Sequence, residues 1–101
     1  CWVINDYNKG VRKISEVISE ESMIKMEVFS DLPGVQLYIG NFLDGSLKSK
    51  KGMNYIKRSG FCLETQFFPN SPNTEKFPST FLEPGEEFYS KTSFKFSIVK
   101  K

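Results

Sequence analysis

The stretch GFCLETQFFPNSPN, residues 60–73, decides the fold. Its first half is mainly apolar and is typical of a β-strand over residues 61–66. Period-2 alternation separates this strand into two faces, one with Phe61, Leu63 and Thr65 and the other with Cys62, Glu64 and Gln66. Prolines at positions 69, 72 and 78 cannot continue a central strand, so the following segment is predicted to cross the sheet as an ordered loop.

Glu64 is the residue of this stretch that is best suited to acid–base chemistry. A carboxylate held away from water is driven towards protonation unless it has partners. We therefore predict that Glu64 is half-buried on a face shared with Cys62 and Gln66. The residues alone leave two interpretations open, a structural acid that is paired within the fold and a functional acid.

Length and composition exclude several classes of protein. The 101 residues are enough for one domain, residues 1–101, and too few for two. A net charge of +2 with dispersed lysines argues against a nucleic-acid binder. The chain has no apolar stretch long enough to span a membrane, so no membrane association is predicted.

Cysteine and histidine usage limits the available chemistry. Two cysteines do not signal a disulfide framework, and a reducing, cytoplasmic location is predicted. The absence of histidine excludes imidazole-based zinc sites and Ser/His or Cys/His nucleophiles within this chain. We expect no metal and no cofactor. The first residue is Cys1 rather than Met, so we expect a chain that was cut, processed or only partly reported.

The rest of the chain is read as short strands and turns. Strands are predicted over residues 1–4, 11–19, 23–28, 35–39 and 88–98, and residues 77–81 are predicted to return to the sheet. Pro33 and Gly34 suit the centre of a type II turn, and residues 48–58 are predicted to form a mobile basic loop. With no convincing helix, this pattern predicts an all-β fold, an antiparallel β-sandwich.

Gln36 is the second candidate for a site. Alternation places Gln36 and Tyr38 on the face opposite Val35 and Leu37. The Gln36 amide can either reach a ligand or pair with neighbouring backbone. The residues alone leave both roles open.

Four strings carry a resemblance to a known family. They are GVQLYIGNFLDG (34–45), SGFCLETQFFPNSPN (59–73), FPSTFLEPGEEF (77–88) and TSFKFSI (92–98). In this order they closely resemble the C-terminal third of the galactose mutarotase family, also called the aldose 1-epimerases. The likeness extends over residues 26–99. The chain departs from the usual family pattern at Asn70, where aspartate is usual, and at Ile39, where threonine is common.

The resemblance implies a fold, a reaction and a set of residues. The fold is a larger β-sandwich to which this chain contributes the last strands, with the missing N-terminal part supplied in cis or as a separate chain. The family interconverts the α and β anomers of aldohexoses such as galactose and glucose. Glu64 matches the catalytic glutamate and Gln36 a glutamine that contacts the sugar. Asn41 is expected to contact the sugar, and Phe42 and Asp44 to line or support the cleft.

The resemblance also implies that this chain lacks half of the chemistry. A carboxylate whose pKa is raised by partial burial suits a general base, the role expected of Glu64. The family's general acid is a histidine in the region before the matched one, and this chain has no histidine. We therefore expect little or no activity from the chain alone. Two alternatives stay open, a sugar-binding or regulatory module without catalysis and a structural fragment.

Overall fold

The computed structural model describes residues 1–100 as two antiparallel sheets. Within these residues six strands are formed: β1 Trp2–Val3, β2 Arg12–Ile18, β3 Ile24–Ser30, β4 Gly34–Tyr38, β5 Cys62–Gln66 and β6 Thr92–Ile98. They pair in the orders β1-β4-β5 and β2-β3-β6, and a 3-10 turn spans Ser71–Asn73. Among residues 1–100, no helix is long and apolar enough to cross a membrane. The predicted all-β antiparallel architecture is confirmed.

The two sheets pack face to face through a small core. Its buried hydrophobic side chains are Val28 of β3, Val35 of β4 and Leu63 of β5. Partly buried apolar side chains surround them: Ile4, Ile14, Val17 and Met26. Because Val35 and Leu63 point into this core, their neighbours along β4 and β5 face away from the second sheet.

Hydroxyl groups join the sheets beside the core. The Thr92 hydroxyl lies 2.7 Å from that of Thr65 on β5 and 3.0 Å from that of Ser30 on β3. Ser30 is fully buried, and its oxygen also accepts a hydrogen bond from the Leu32 N–H. A buried hydroxyl without a partner is costly, so this network helps to fix how β5 sits on the second sheet.

Two predicted strand segments differ from the structure. Residues 77–81 form no strand, because the chain turns at Phe77, whose N–H donates to the Thr74 carbonyl, and continues irregularly past Pro78. The last strand begins at Thr92 rather than at residue 88. Thr92 pairs with Ser30, the last residue of β3, so the residues before it have no partner strand.

Two predicted connections also differ from the structure. Gly34 has no positive φ and is the first residue of β4, so the type II turn centred on Pro33 and Gly34 is wrong. Residues 48–58 are more regular than a mobile loop, since Lys48 and Asn54 form an antiparallel bridge. The Tyr55 N–H donates to the Leu47 carbonyl at 2.8 Å. We call the segment 45–55 the 45–55 hairpin.

Close packing explains the glycine at position 34. A Cβ there would lie 3.0 Å from the Cys1 Sγ and 3.1 Å from the Phe68 ring. That ring is held edge-on by Tyr7 and Phe77, so it has little room to move. Gly34 is therefore needed for the approach of Phe68 to the start of β4.

We expect Gly34→Ala to lower the free energy of unfolding by about 1–3 kcal/mol through overpacking. Gly60→Ala is the matched control, because a Cβ at Gly60 meets nothing within 4 Å and its φ is not positive. Thermal unfolding of dilute protein followed by circular dichroism measures both. Equal melting temperatures for the two variants would contradict the packing argument.

The second sheet leaves apolar side chains uncovered. Phe94, Phe96 and Ile98 of β6 are 48%, 65% and 66% exposed. The radius of gyration is 16.8 Å, against about 13 Å for a compact domain of 100 residues. Uncovered apolar patches and open edge strands are sites of association between molecules.

We expect the isolated chain to self-associate with increasing concentration, which analytical ultracentrifugation measures. Phe96→Lys should reduce the association, because it places a charge on the uncovered face. Ser97→Lys is the control, since it adds the same charge to the opposite face of β6. A monodisperse monomer at high concentration would contradict the expectation.

Candidate functional site

Gln36 and Glu64 lie directly opposite each other in the β1-β4-β5 sheet. The antiparallel register of β4 and β5 pairs Gln36 with Glu64 and Tyr38 with Cys62. Directly opposed residues have Cβ atoms about 4.5–5.5 Å apart and share a face. The face turned away from the second sheet, which we call the polar face, carries Gln36, Tyr38, Cys62, Glu64 and Gln66.

Glu64 is exposed, whereas the sequence predicted partial burial. The prediction is wrong for the described residues because the second sheet covers the opposite side of β5, the side of Leu63. The ion pairs of residues 1–100 join Lys9 to Asp6 and Lys13 to two glutamates, Glu16 and Glu27. No acid–base pairing within the described part of the chain therefore accounts for Glu64 as a structural acid.

The loop after β4 folds back over the polar face. Gly40 has φ 79°, and its carbonyl accepts a hydrogen bond from the Leu43 N–H at 3.3 Å. The Phe42 N–H donates to the Tyr38 hydroxyl oxygen at 3.2 Å. The rings of Tyr38 and Phe42 are nearly parallel, at 12°, with centroids 6.3 Å apart. Phe42, expected to line the cleft, therefore stands beside the polar face.

Asn41 is exposed and anchored by Arg58. The Arg58 Nε donates to the Asn41 Oδ1 at 3.2 Å, and the Arg58 N–H donates to the Gly40 carbonyl at 3.1 Å. Because arginine only donates, the Asn41 amide oxygen is engaged and its NH₂ group is left to donate to another acceptor. Such an amide can donate to a hydroxyl oxygen of a ligand.

Asp44 supports the loop rather than the polar face. Its Oδ1 accepts the Ser46 N–H at 2.9 Å. Hydrogen bonds from the Ser46 side chain and then from its backbone N–H lower the pKa of the Asp44 carboxyl. The carboxylate thus fixes residues 44–46, directly after the turn that carries Asn41 and Phe42.

The two remaining members of the polar face differ in surroundings. Cys62 is a free, exposed thiol that lies two residues before Glu64 on the same face of β5. Gln66 is half-buried, and its Nε2 lies 3.7 Å from the Cys1 Sγ, so its amide is turned towards the start of the chain.

Sequence reasoning missed two residues of this site. Alternation put Tyr38 on the same face as Gln36, but nothing in the local pattern connected it with Phe42. Arg58 gave no signal, because its contact with Asn41 depends on a loop path in which Arg58 itself has φ 62°.

The arrangement offers a base beside hydrogen-bonding groups. Glu64 can accept a proton, and the opposed Gln36 amide can both donate and accept hydrogen bonds. The Phe42 ring stands beside Tyr38 of the polar face, and the Asn41 amide lies in the loop that follows β4. A polyhydroxylated ligand suits such a set, since it presents hydroxyl groups to amides and carboxylates and C–H surface to a ring.

Comparisons with known proteins agree on one family. The family model for Aldose 1-epimerase matches residues 2–95. Galactose mutarotase from Bos taurus is 56% identical over 74 residues, which cover 73% of this chain and 22% of that protein. Aldose 1-epimerase from Escherichia coli is 36% identical over 98 residues, covering 95% of this chain and 28% of that protein.

A solved structure supports the same relationship. The aldose epimerase homologue from C. elegans matches with a TM-score of 0.69 and 31% identity, over 81% of this chain and 25% of that one. The chain thus spans about a quarter of the length of the relatives that it matches. From its family match, its relatives and its fold, this chain belongs to the aldose 1-epimerase family.

Proposed function

We propose that this chain supplies the general-base segment of an aldose 1-epimerase that interconverts the α and β anomers of free aldohexoses such as galactose and glucose. One observation carries the proposal. In a chain of this family, Gln36 and Glu64 stand opposite each other on a face that the core does not use. Glu64 is the catalytic residue and Gln36 and Asn41 are the sugar-binding residues.

The reaction begins at the anomeric hydroxyl. A Glu64 oxygen takes the proton, the electrons of the O–H bond form the aldehyde C=O, and the bond between the anomeric carbon and the ring oxygen breaks. The ring oxygen receives a proton from an acid. After rotation of the carbonyl group, the same steps in reverse close the ring on the other face of the carbonyl.

The amide side chains of Gln36 and Asn41 position the substrate. Gln36, directly across from Glu64, binds a sugar hydroxyl near the reacting carbon, and the Asn41 NH₂ group binds a second hydroxyl. Holding the substrate in this way places the anomeric hydroxyl within reach of the base. Such proximity and orientation lower the barrier to proton transfer.

The acid and the rest of the cleft come from chain outside these residues. The sequence contains no histidine, and Glu64 lies on an open face. A segment of the same domain, in cis or as a separate chain, covers the polar face and supplies the acid. The partners of this chain are thus that segment and an aldohexose, in a cytoplasmic enzyme.

A chimera tests this proposal. In the chimera, the matching segment of the Escherichia coli aldose 1-epimerase is replaced by this chain, since that match extends over 98 residues. We expect the chimera to accelerate mutarotation of α-galactose in a polarimeter, and the isolated chain to leave the spontaneous rate unchanged. The E. coli protein without its matching segment is the control.

Two outcomes would overturn parts of the proposal. Turnover by the isolated chain would show that no second segment is needed. A folded chimera that leaves the spontaneous rate unchanged would remove the enzymatic role.

The absence of histidine favours a second candidate function, a sugar-binding module without catalysis. The two candidates differ in one measurement. Calorimetric binding of galactose by the folded chimera without any acceleration of mutarotation would favour the binding module.

A further inference from the structure

One feature of the polar face has no role in the proton transfers described above, the ring pair of Tyr38 and Phe42. Phe42 is 89% exposed, yet its ring is held by the parallel ring of Tyr38 and its N–H by the Tyr38 hydroxyl. The turn that carries it is closed by the Leu43 N–H on the Gly40 carbonyl and held by Arg58, which donates to Asn41 and to the same carbonyl. An ordered aromatic ring presented to solvent on a turn fixed in this way has a surface free to bind.

The ring pair lies within reach of the base. Tyr38 follows Gln36 on the polar face and is diagonal to Glu64 across the β4–β5 pair. Diagonal neighbours are about 7–8 Å apart. A single pyranose with its hydroxyl groups bridges this span, so a sugar held by Glu64 and Gln36 reaches Tyr38, the ring on which Phe42 stacks.

We infer that Phe42 packs against the C–H face of the aldohexose, and that Tyr38 is a positioning residue that holds the Phe42 ring there; this inference rests on the proposed function. An aldohexose ring has hydroxyls along its edges and C–H groups on its faces. The negative face of an aromatic ring attracts such C–H groups. Binding sites of this kind combine apolar rings with a few oriented polar groups.

The alternative explanation is that Phe42 packs against protein when the domain is complete. The two explanations predict different effects when Phe42 is replaced by an aliphatic residue. Apolar packing is largely preserved by leucine, whereas stacking on a sugar requires an aromatic face. They also differ in the quantity that is measured. Loss of a packing contact lowers the melting temperature, whereas loss of stacking raises the KM for the sugar.

The test uses variants of the chimera, assayed for galactose mutarotation. Phe42→Ala and Phe42→Leu should each raise KM about 3- to 10-fold with kcat changed less than twofold. Phe42→Tyr should keep the KM of the parent. Leu47→Ala is the control, since Leu47 is an exposed apolar residue, 66% accessible, on the neighbouring 45–55 hairpin.

The positioning role of Tyr38 is tested in the same assay. Tyr38→Ala should raise KM as Phe42→Ala does, and Tyr38→Phe should restore most of the binding because it keeps the parallel ring. The double variant Tyr38→Ala/Phe42→Ala should be no worse than the worse single one, because Tyr38 acts through Phe42.

An unchanged KM in Phe42→Ala would overturn the inference, and so would a normal KM in Phe42→Leu with a lowered melting temperature in Phe42→Ala. If the parent chimera binds galactose but does not turn it over, the proposed enzymatic function fails. The inference is then judged by the Kd of Phe42→Ala for galactose. A folded chimera that does not bind galactose would overturn both.

Discussion

Replacing Glu64 by glutamine in the chimera should lower the rate of galactose mutarotation by about 10²–10⁴, the usual contribution of a general base. The amide has nearly the size of the carboxylate but cannot accept the proton. Because Glu64 is exposed and makes no ion pair within residues 1–100, the substitution removes no structural contact of this chain. The expected loss is therefore in kcat, with little change in KM or in the melting temperature.

The control for this experiment is Glu75→Gln, the same substitution at an exposed acid in the loop after β5. It should leave the rate within about twofold of the parent, since surface substitutions away from a site have small effects. Near-normal mutarotation by Glu64→Gln would remove Glu64 from the role of base. A loss of rate that is matched by a loss of folded protein would assign Glu64 to structure instead.

Truncating Leu63 to alanine should lower the free energy of unfolding of the chimera by about 2–5 kcal/mol. Leu63 is 7% exposed and packs with Val28 and Val35 where the two sheets meet. Removing its branched end leaves a cavity, and the neighbouring strands β3 and β4, each paired on both sides, close it only in part. Urea denaturation followed by circular dichroism gives the free energy.

Leu47→Ala again serves as the matched control, and it should change the free energy of unfolding by about 0.5 kcal/mol or less. The comparison isolates burial, because the same atoms are removed at both positions. Equal effects at Leu63 and Leu47 would mean that the three buried residues are not the core on which β4 and β5 rest.

The local pattern of the sequence predicted the faces of the central strands but not their pairing. Alternation put Leu63 and Val35 opposite Glu64 and Gln36, and both apolar residues are buried in the structure. Nothing in either strand specifies that Gln36 pairs with Glu64, because register depends on contacts between segments far apart in the chain. The resemblance predicted the family and the β-sandwich, and both are confirmed.

The wrong predictions have physical causes of two kinds. Partial burial of Glu64 was inferred from its neighbours along the strand, but burial depends on what covers the face, and the second sheet covers the other one. Gly34 was assigned to a turn because Pro-Gly suits one, whereas its small size serves the approach of Phe68. Residues 77–81 have strand-like composition but no strand to pair with.

The division of β4 and β5 into an inner and an outer side has an evolutionary consequence. Changes on the inner side are limited by the volume that Val28, Val35 and Leu63 fill together, whereas the outer side is free of that limit. Under the function proposed above, mutations that alter sugar preference can therefore accumulate at outward-facing positions without destabilising the core. The same backbone can then carry different ligand contacts on its outer side.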